Sequence, residues 1–145
     1  MESARESIID SPTMINRLTF YLEAAGFALM IGNIQMALDL IEQAECAVQG
    51  QDLFPQDAGM FARYRAFRAV HVQGVGPALE IVRTAEQRFE KAHPLYYINL
   101  LPAKAWLERK VSGCYTKETE DCLNSLSDYG LNGKRATWTA QGFLE

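Results

Sequence analysis

The sequence predicts an all-α chain built of stacked helix pairs, and three observations carry that expectation. Apolar residues recur at helical spacing through most of the 145 residues. Proline and glycine stand mainly at the ends of these periodic stretches. A short pattern of small and branched side chains, Ala37-x-x-x-Ile41-x-x-Ala44, returns forty-one residues later as Ala78-x-x-x-Val82-x-x-Ala85. No stretch shows sustained strand alternation, and Asn132-Gly133 joins helical segments rather than alternating runs.

Taken in order, residues 1–11 have weak periodicity and are expected to form an N-terminal extension, with the helical domain over 12–145. Ser11-Pro12 has the chemistry of a helix start, because Ser accepts from orphan N–H groups and Pro lacks the N–H that would go unpaired. The first helix then runs to Ile31, with Leu18, Tyr21, Leu22, Ala25, Ala28 and Leu29 along one stripe. Gly32-Asn33 ends it. The second helix spans about Ile34 to Val48, and Ala37, Ile41 and Ala44 share its apolar face. After the connector Gly50–Phe54, Pro55 opens the third helix, which carries Phe61, Ala62, Tyr64, Ala66, Phe67, Ala69 and Val70. Gly74-Val75-Gly76-Pro77 separates it from the fourth, where Ala78, Val82, Ala85 and Phe89 mark a face. His93-Pro94 is the expected start of a fifth helix reaching Lys110, kinked or split at Pro102, which removes the bond to the Ile98 carbonyl. Thr116 caps a sixth helix expected to reach Tyr129. A last segment, Lys134–Glu145, reads as helical to the end of the sequence.

Composition narrows the function classes. The chain is 48% hydrophobic and 22% charged, the balance of a folded globular protein. A net charge of −4 and a pI near 5.2 disfavour general nucleic-acid binding, which needs a basic surface. The acidic residues of Met1–Ser7 do not fit a secretory leader, and the apolar run Ala24–Ile31 is too short to span a bilayer. The expected location is therefore the cytoplasm, without membrane association. Cys46, Cys114 and Cys122 are odd in number and widely spaced, so they read as reduced thiols filling small gaps rather than a disulfide framework or zinc site.

Neither residue type nor spacing points to a catalytic constellation. Gly74-x-Gly76 lacks the Lys-Ser/Thr ending of a nucleotide loop. Glu118, Glu120 and Asp121 open the sixth helix, where acids favour the positive end of the dipole. His71 has no carboxylate or cysteine near it in sequence. The expectation is a non-enzyme with no metal or other cofactor.

The first helix pair resembles a tetratricopeptide repeat. Tyr21 falls at its large-aromatic position, Ala25 at its small-residue position and Gly32-Asn33 at its turn, followed by Ala37, Ile41 and Ala44. Ala66, Ala69, Ala78, Val82 and Ala85 fit a second unit. Trp106 and Gly113-Cys114-Tyr115 fit part of a third, although Glu118 stands where a small residue is expected. Trp138-x-x-Gln141-Gly142 is similar to the start of another. The spacing exceeds the usual repeat of about 34 residues. That makes the chain similar to a divergent array, such as those of bacterial regulators of the maltose-regulator type.

The resemblance implies a right-handed α-solenoid of about three antiparallel helix pairs plus a C-terminal helix. It also implies that the first helix of each pair lines a concave groove. On that alignment Arg63, Phe67, Val70 and His71 face the groove, joined by Leu22, Gly26, Leu29 and Met30 from the first unit and by Tyr97, Leu100, Lys104 and Leu107 from the third. Such a groove would take a protein or peptide with apolar anchors and some acidic groups, Arg63 supplying forked bonds and Phe67 covering an apolar side chain. On this reading Arg63 and Phe67 can both be replaced without loss of stability. The competing expectation for Arg63, Arg65 and Arg68 is solvation or pairing with acids such as Glu42 and Glu80. The resemblance implies a regulatory or assembly module in bacterial signalling, with homo-oligomers compatible. Two alternatives have distinct signatures: a secretion-type chaperone with an apolar groove for one client, and a small-molecule sensor with a closed pocket near Pro102, Trp106 and Tyr96-Tyr97.

Overall fold

The computed structural model describes residues 2–89 and 98–145. Among them are seven α-helices, one 3-10 turn and no strand. The helices are α1 (Glu2–Met30), α2 (Ile34–Val48), α3 (Pro55–Val72), α4 (Val75–Phe89), α5 (Leu101–Ser112), α6 (Lys117–Asn124) and α7 (Asn132–Ala140), with the 3-10 turn at Ser125–Tyr129. The expected helix start at His93-Pro94, together with Tyr96 and Tyr97, lies outside the described residues.

The corner between α1 and α2 is built as its sequence requires. Gly32 has φ +79°, a conformation that costs a residue with a Cβ. It lets the Asn33 N–H reach the Ala28 carbonyl at 2.8 Å and the Gly32 N–H reach Leu29 at 3.1 Å, the paired bonds that close a helix C-terminus. Asn33 Oδ1 then accepts from the Met36 N–H at 3.1 Å and caps α2. Two helices are thus folded back on each other by three residues.

Three expected boundaries change, and the expected interruption near Pro102 is present. α1 begins at Glu2 and not at Pro12, so the extension over residues 1–11 is, from Glu2 onward, continuous with the first helix. Pro12 lies inside it, leaving the Ile8 carbonyl without its helical donor. The interruption expected near Pro102 is a turn at Asn99–Leu100 that precedes α5, and Pro102 falls in the first turn of α5, where its missing N–H is not needed. α6 stops at Asn124 and tightens into the 3-10 turn, where the Ser125 and Ser127 hydroxyls donate to carbonyls three residues back. The last segment is not helical to its end. α7 closes at Ala140, where Gly142 at φ +91° repeats the Gly32 device: Phe143 N–H bonds to Trp138 O and Gly142 N–H to Thr139 O. That turn carries Phe143 and Leu144 into the interior, where both are buried.

Packing follows the pairs. α1 lies along α2 and α3 along α4, while α2 and α1 both contact α3, and α5 contacts α3 and α4. The recurring small residues form the seam: Ala37, Ile41, Ala44 and Ala78 are fully buried, and Val82 and Ala85 nearly so. Ala25, Ala66 and Trp106 are also buried, Tyr21 half so. Ion pairs reinforce the junctions, Arg68 to Glu45 at 3.0 Å between α3 and α2, and Lys104 to Glu86 at 3.2 Å between α5 and α4. Thr116 caps α6 as expected, and the half-buried Glu108 of α5 accepts from the Thr116 N–H and from both the Thr116 and Thr119 hydroxyls. A half-buried carboxylate with that many donors ties α6 to α5.

Ile41→Ala empties a fully buried site between alanines that cannot expand to fill it. Urea unfolding is expected to register a loss of about 2–5 kcal/mol with the m-value unchanged.

Candidate protein-binding faces

Two faces stand out for their apolar side chains: an inner one built on α1, α3 and α5, and an outer one on α1. The inner face was expected to be an open groove. In the folded chain it is covered by residues 138–145 of the same molecule. Phe143 stands at its centre, edge-on to Tyr64 (6.1 Å between ring centres), Phe67 (5.9 Å) and Trp106 (6.0 Å). Phe67 in turn packs on Trp106 at 5.2 Å and on His71 at 4.6 Å, and the Lys110 ammonium sits 4.8 Å over the Trp106 ring. Each aromatic contact contributes about 0.5–1.5 kcal/mol beyond area burial.

Arginines hold the edges. Arg63, only 6% exposed, donates to the Asn99 carbonyl at 3.2 Å and to the Tyr64 hydroxyl at 3.3 Å, and its guanidinium lies over the Tyr64, Trp138 and Phe143 rings. Arg109 donates to the Phe143 carbonyl at 2.9 Å and pairs with Glu145 at 3.4 Å, while the Glu145 N–H donates to the Tyr115 hydroxyl. Gln141 Nε2 donates to the Tyr64 hydroxyl at 3.3 Å.

The residues expected on this face therefore divide. Arg63, Phe67, Leu22, Leu29, Leu100 and Leu107 are buried, Val70 is half-buried, and His71 and Met30 are exposed. Gly26 is buried, and Lys104 is half-buried and engaged with Glu86. Tyr97 lies outside the described residues. The expectation that Arg63 and Phe67 are exposed and dispensable for stability is corrected: Phe67 covers an apolar side chain, but the side chain is Phe143. Of the competing ion pairs, Arg68 meets Glu42 as well as Glu45, Arg65 meets Glu45, and Glu80 pairs instead with Arg83. Sequence reading missed Trp138, Gln141 and Phe143 as partners of this face, taking Trp138–Gly142 for a further repeat. The signal that separates the readings is Gly142 followed by the apolar pair Phe143-Leu144, a helix stop rather than an interior small residue.

The outer face is a second set of apolar residues on α1 and the turn that follows it. Phe20, Phe27 and Ile31 are 65%, 63% and 61% exposed. At 100° per residue they cluster on the side opposite Leu18, Leu22, Ala25 and Leu29. Met30 and Ile34, also exposed, extend the apolar surface towards α2. Exposed large apolar side chains repeated along one side of a helix are a feature of interaction surfaces.

Elsewhere, a half-open cavity of about 680 Å³ lies between α2, α3 and α4, with Phe61, Ala62, Arg65, Glu80 and Arg88 among its walls. It is distant in sequence from Pro102 and Trp106, where a sensor pocket was expected; both of those residues are buried in packing. Arg88 closes one side by donating to the Leu53 carbonyl. Among the described residues no group of His, Cys, Asp and Glu is arranged to hold a metal ion, and no helix is long and apolar enough to cross a membrane.

Comparison of the chain with protein-family models, with curated proteins and with solved structures finds no match. What these faces can do rests on their own chemistry.

The cysteines are free, but Cys46 and Cys114 are exposed rather than gap-filling. Cys122 is half-buried, and burial, followed by the negative charge of Glu118, pushes its thiol up. A raised value leaves less thiolate at neutral pH, so iodoacetamide at pH 7.5 should label Cys46 and Cys114 well before Cys122, as read by peptide mass spectrometry. Phe67→Ala, in contrast to replacement at an open groove, should lower unfolding free energy by about 3–5 kcal/mol in chemical denaturation.

Proposed function

We propose that this chain is a non-catalytic protein-binding module, a divergent tetratricopeptide-like array whose hairpins stack as a right-handed solenoid. In this reading it serves as the regulatory or assembly part of a bacterial signalling protein. The observation that carries protein binding is the outer stripe of α1. Phe20, Phe27 and Ile31 remain in water although the same helix already buries a full stripe against α2 and α3. Leaving two phenylalanines and an isoleucine largely exposed forfeits about 1–2 kcal/mol each relative to covering them, a cost that a bound partner removes. The repeated alanine seam supports the array: residues at matching positions of both hairpins are buried alike, as stacking of one unit on the next requires.

The test is the double substitution Phe20→Glu with Phe27→Glu. Both side chains contribute little to the core, so helical content by circular dichroism and the melting temperature should stay close to those of the unaltered chain. Proteins retained on the immobilised chain should fall by about tenfold or more, the loss of one or two interface anchors. Retention that is unchanged by the two charges would remove α1 as the interaction surface.

A further inference from the structure

We infer that the inner face is a peptide site occupied in cis by residues 138–145, and that it takes from a partner a segment of the same chemistry. That chemistry is two aromatic anchors five residues apart, as at Trp138 and Phe143, with a carboxylate following the second, as at Glu145. The inference rests on the reading of this chain as a protein-binding module, but on a different surface from α1.

The contacts of residues 138–145 are those of a bound peptide. An aromatic anchor, Phe143, enters a socket of Tyr64, Phe67 and Trp106, side chains contributed by two different helices. The backbone is gripped by a cation, Arg109 donating to the Phe143 carbonyl at 2.9 Å and meeting the Glu145 carboxylate at 3.4 Å. Gly26 shows that the scaffold is cut to this occupant. It lies within a helix and needs no unusual backbone angle, yet a Cβ there would stand 2.6 Å from both Gln141 Nε2 and the Tyr64 hydroxyl.

The fit is also incomplete. Arg63 Nε, Arg109 Nε and Gln141 Oε1 are buried without a hydrogen-bond partner among the described residues. Two of these are cationic donors, so a partner segment that adds carbonyl or carboxylate acceptors satisfies groups that residues 138–145 leave unpaired. An occupant that under-serves its site is one that a better ligand displaces, and the Gly130-Leu131 connection before α7 supplies the point about which it leaves.

The experiment uses the full chain and a fluorescein-labelled peptide with the sequence of residues 134–145. Binding is followed by anisotropy to the unaltered chain and to Phe143→Ala and Trp138→Ala, each checked for folding by circular dichroism. The folded variants should bind the peptide at least about tenfold more tightly than the unaltered chain, whose site is filled. The same peptide with both aromatic anchors changed to Ala should not bind, and one with Glu replaced by Gln at its end should bind more weakly. If both variants unfold, the unaltered chain decides: in 15N spectra excess peptide should move the Gly142 and Phe143 amides towards released positions while those of α1 to α4 hold. Folded variants that ignore the peptide, or amides that do not move where the variants have unfolded, overturn the inference and leave the α1 test untouched. An unaltered chain that is a dimer by light scattering, and that dissociates on Phe143→Ala, also overturns it, because the site then belongs to a second copy.

Discussion

Close approach between helices at small side chains is the constraint on which the rest of this structure depends. Ala37, Ala44 and Ala78 have no side chain beyond Cβ, so the helices that meet there come near enough for Ile41 and Val82 to fill what remains. Dispersion falls away within about an ångström of optimal separation, and a seam made of larger residues would hold the pairs apart. The Gly32-Asn33 corner works to the same end. It returns the chain in three residues and so fixes which face of α2 meets α1 before any long-range contact forms.

The inner face is where this economy ends and a different kind of packing begins. Its contacts are aromatic, edge-on and ringed by arginine, and they join α3 and α5 to a segment more than thirty residues further along the chain. A surface of that composition is stable only when covered, since Phe67 and Trp106 are too large to leave in water without cost. Coverage by residues 138–145 makes the chain self-sufficient on this side, while the outer stripe of α1 stays open. The two faces of the molecule thus stand in opposite states. One has its apolar groups matched by a built-in segment, and the other leaves Phe20, Phe27 and Ile31 at least 61% exposed.

Local chemistry made much of the fold legible. Asn33 and Thr116 as caps, Gly32 and Gly113 as stops, Pro55 as a start and Pro102 as a break act within one or two turns of helix, so their effects can be read from neighbours in sequence. The stripe Leu18, Leu22, Ala25 and Leu29 was legible for the same reason: a helix that buries one face must repeat it every three or four residues. The start of α1 was misplaced because Ser11-Pro12 satisfies every local rule for a helix N-terminus, and the helix passes through it regardless. The second stripe, Phe20, Phe27 and Ile31, obeys the same period. Periodicity alone does not tell a face that packs from one that waits.

What the sequence determined by itself is the succession of helices and corners and the small residues buried at matching positions of α2 and α4, because these follow from backbone hydrogen bonding and from side-chain size at fixed spacing. Only the tertiary structure decided that Arg63 and Phe67 are interior residues and that the groove they were expected to line is filled. The reason is physical: Gly142 turns Phe143 out of its helix by a local rule, but the surface that receives the ring exists only where α3 and α5 lie side by side. No spacing within the sequence encodes that meeting.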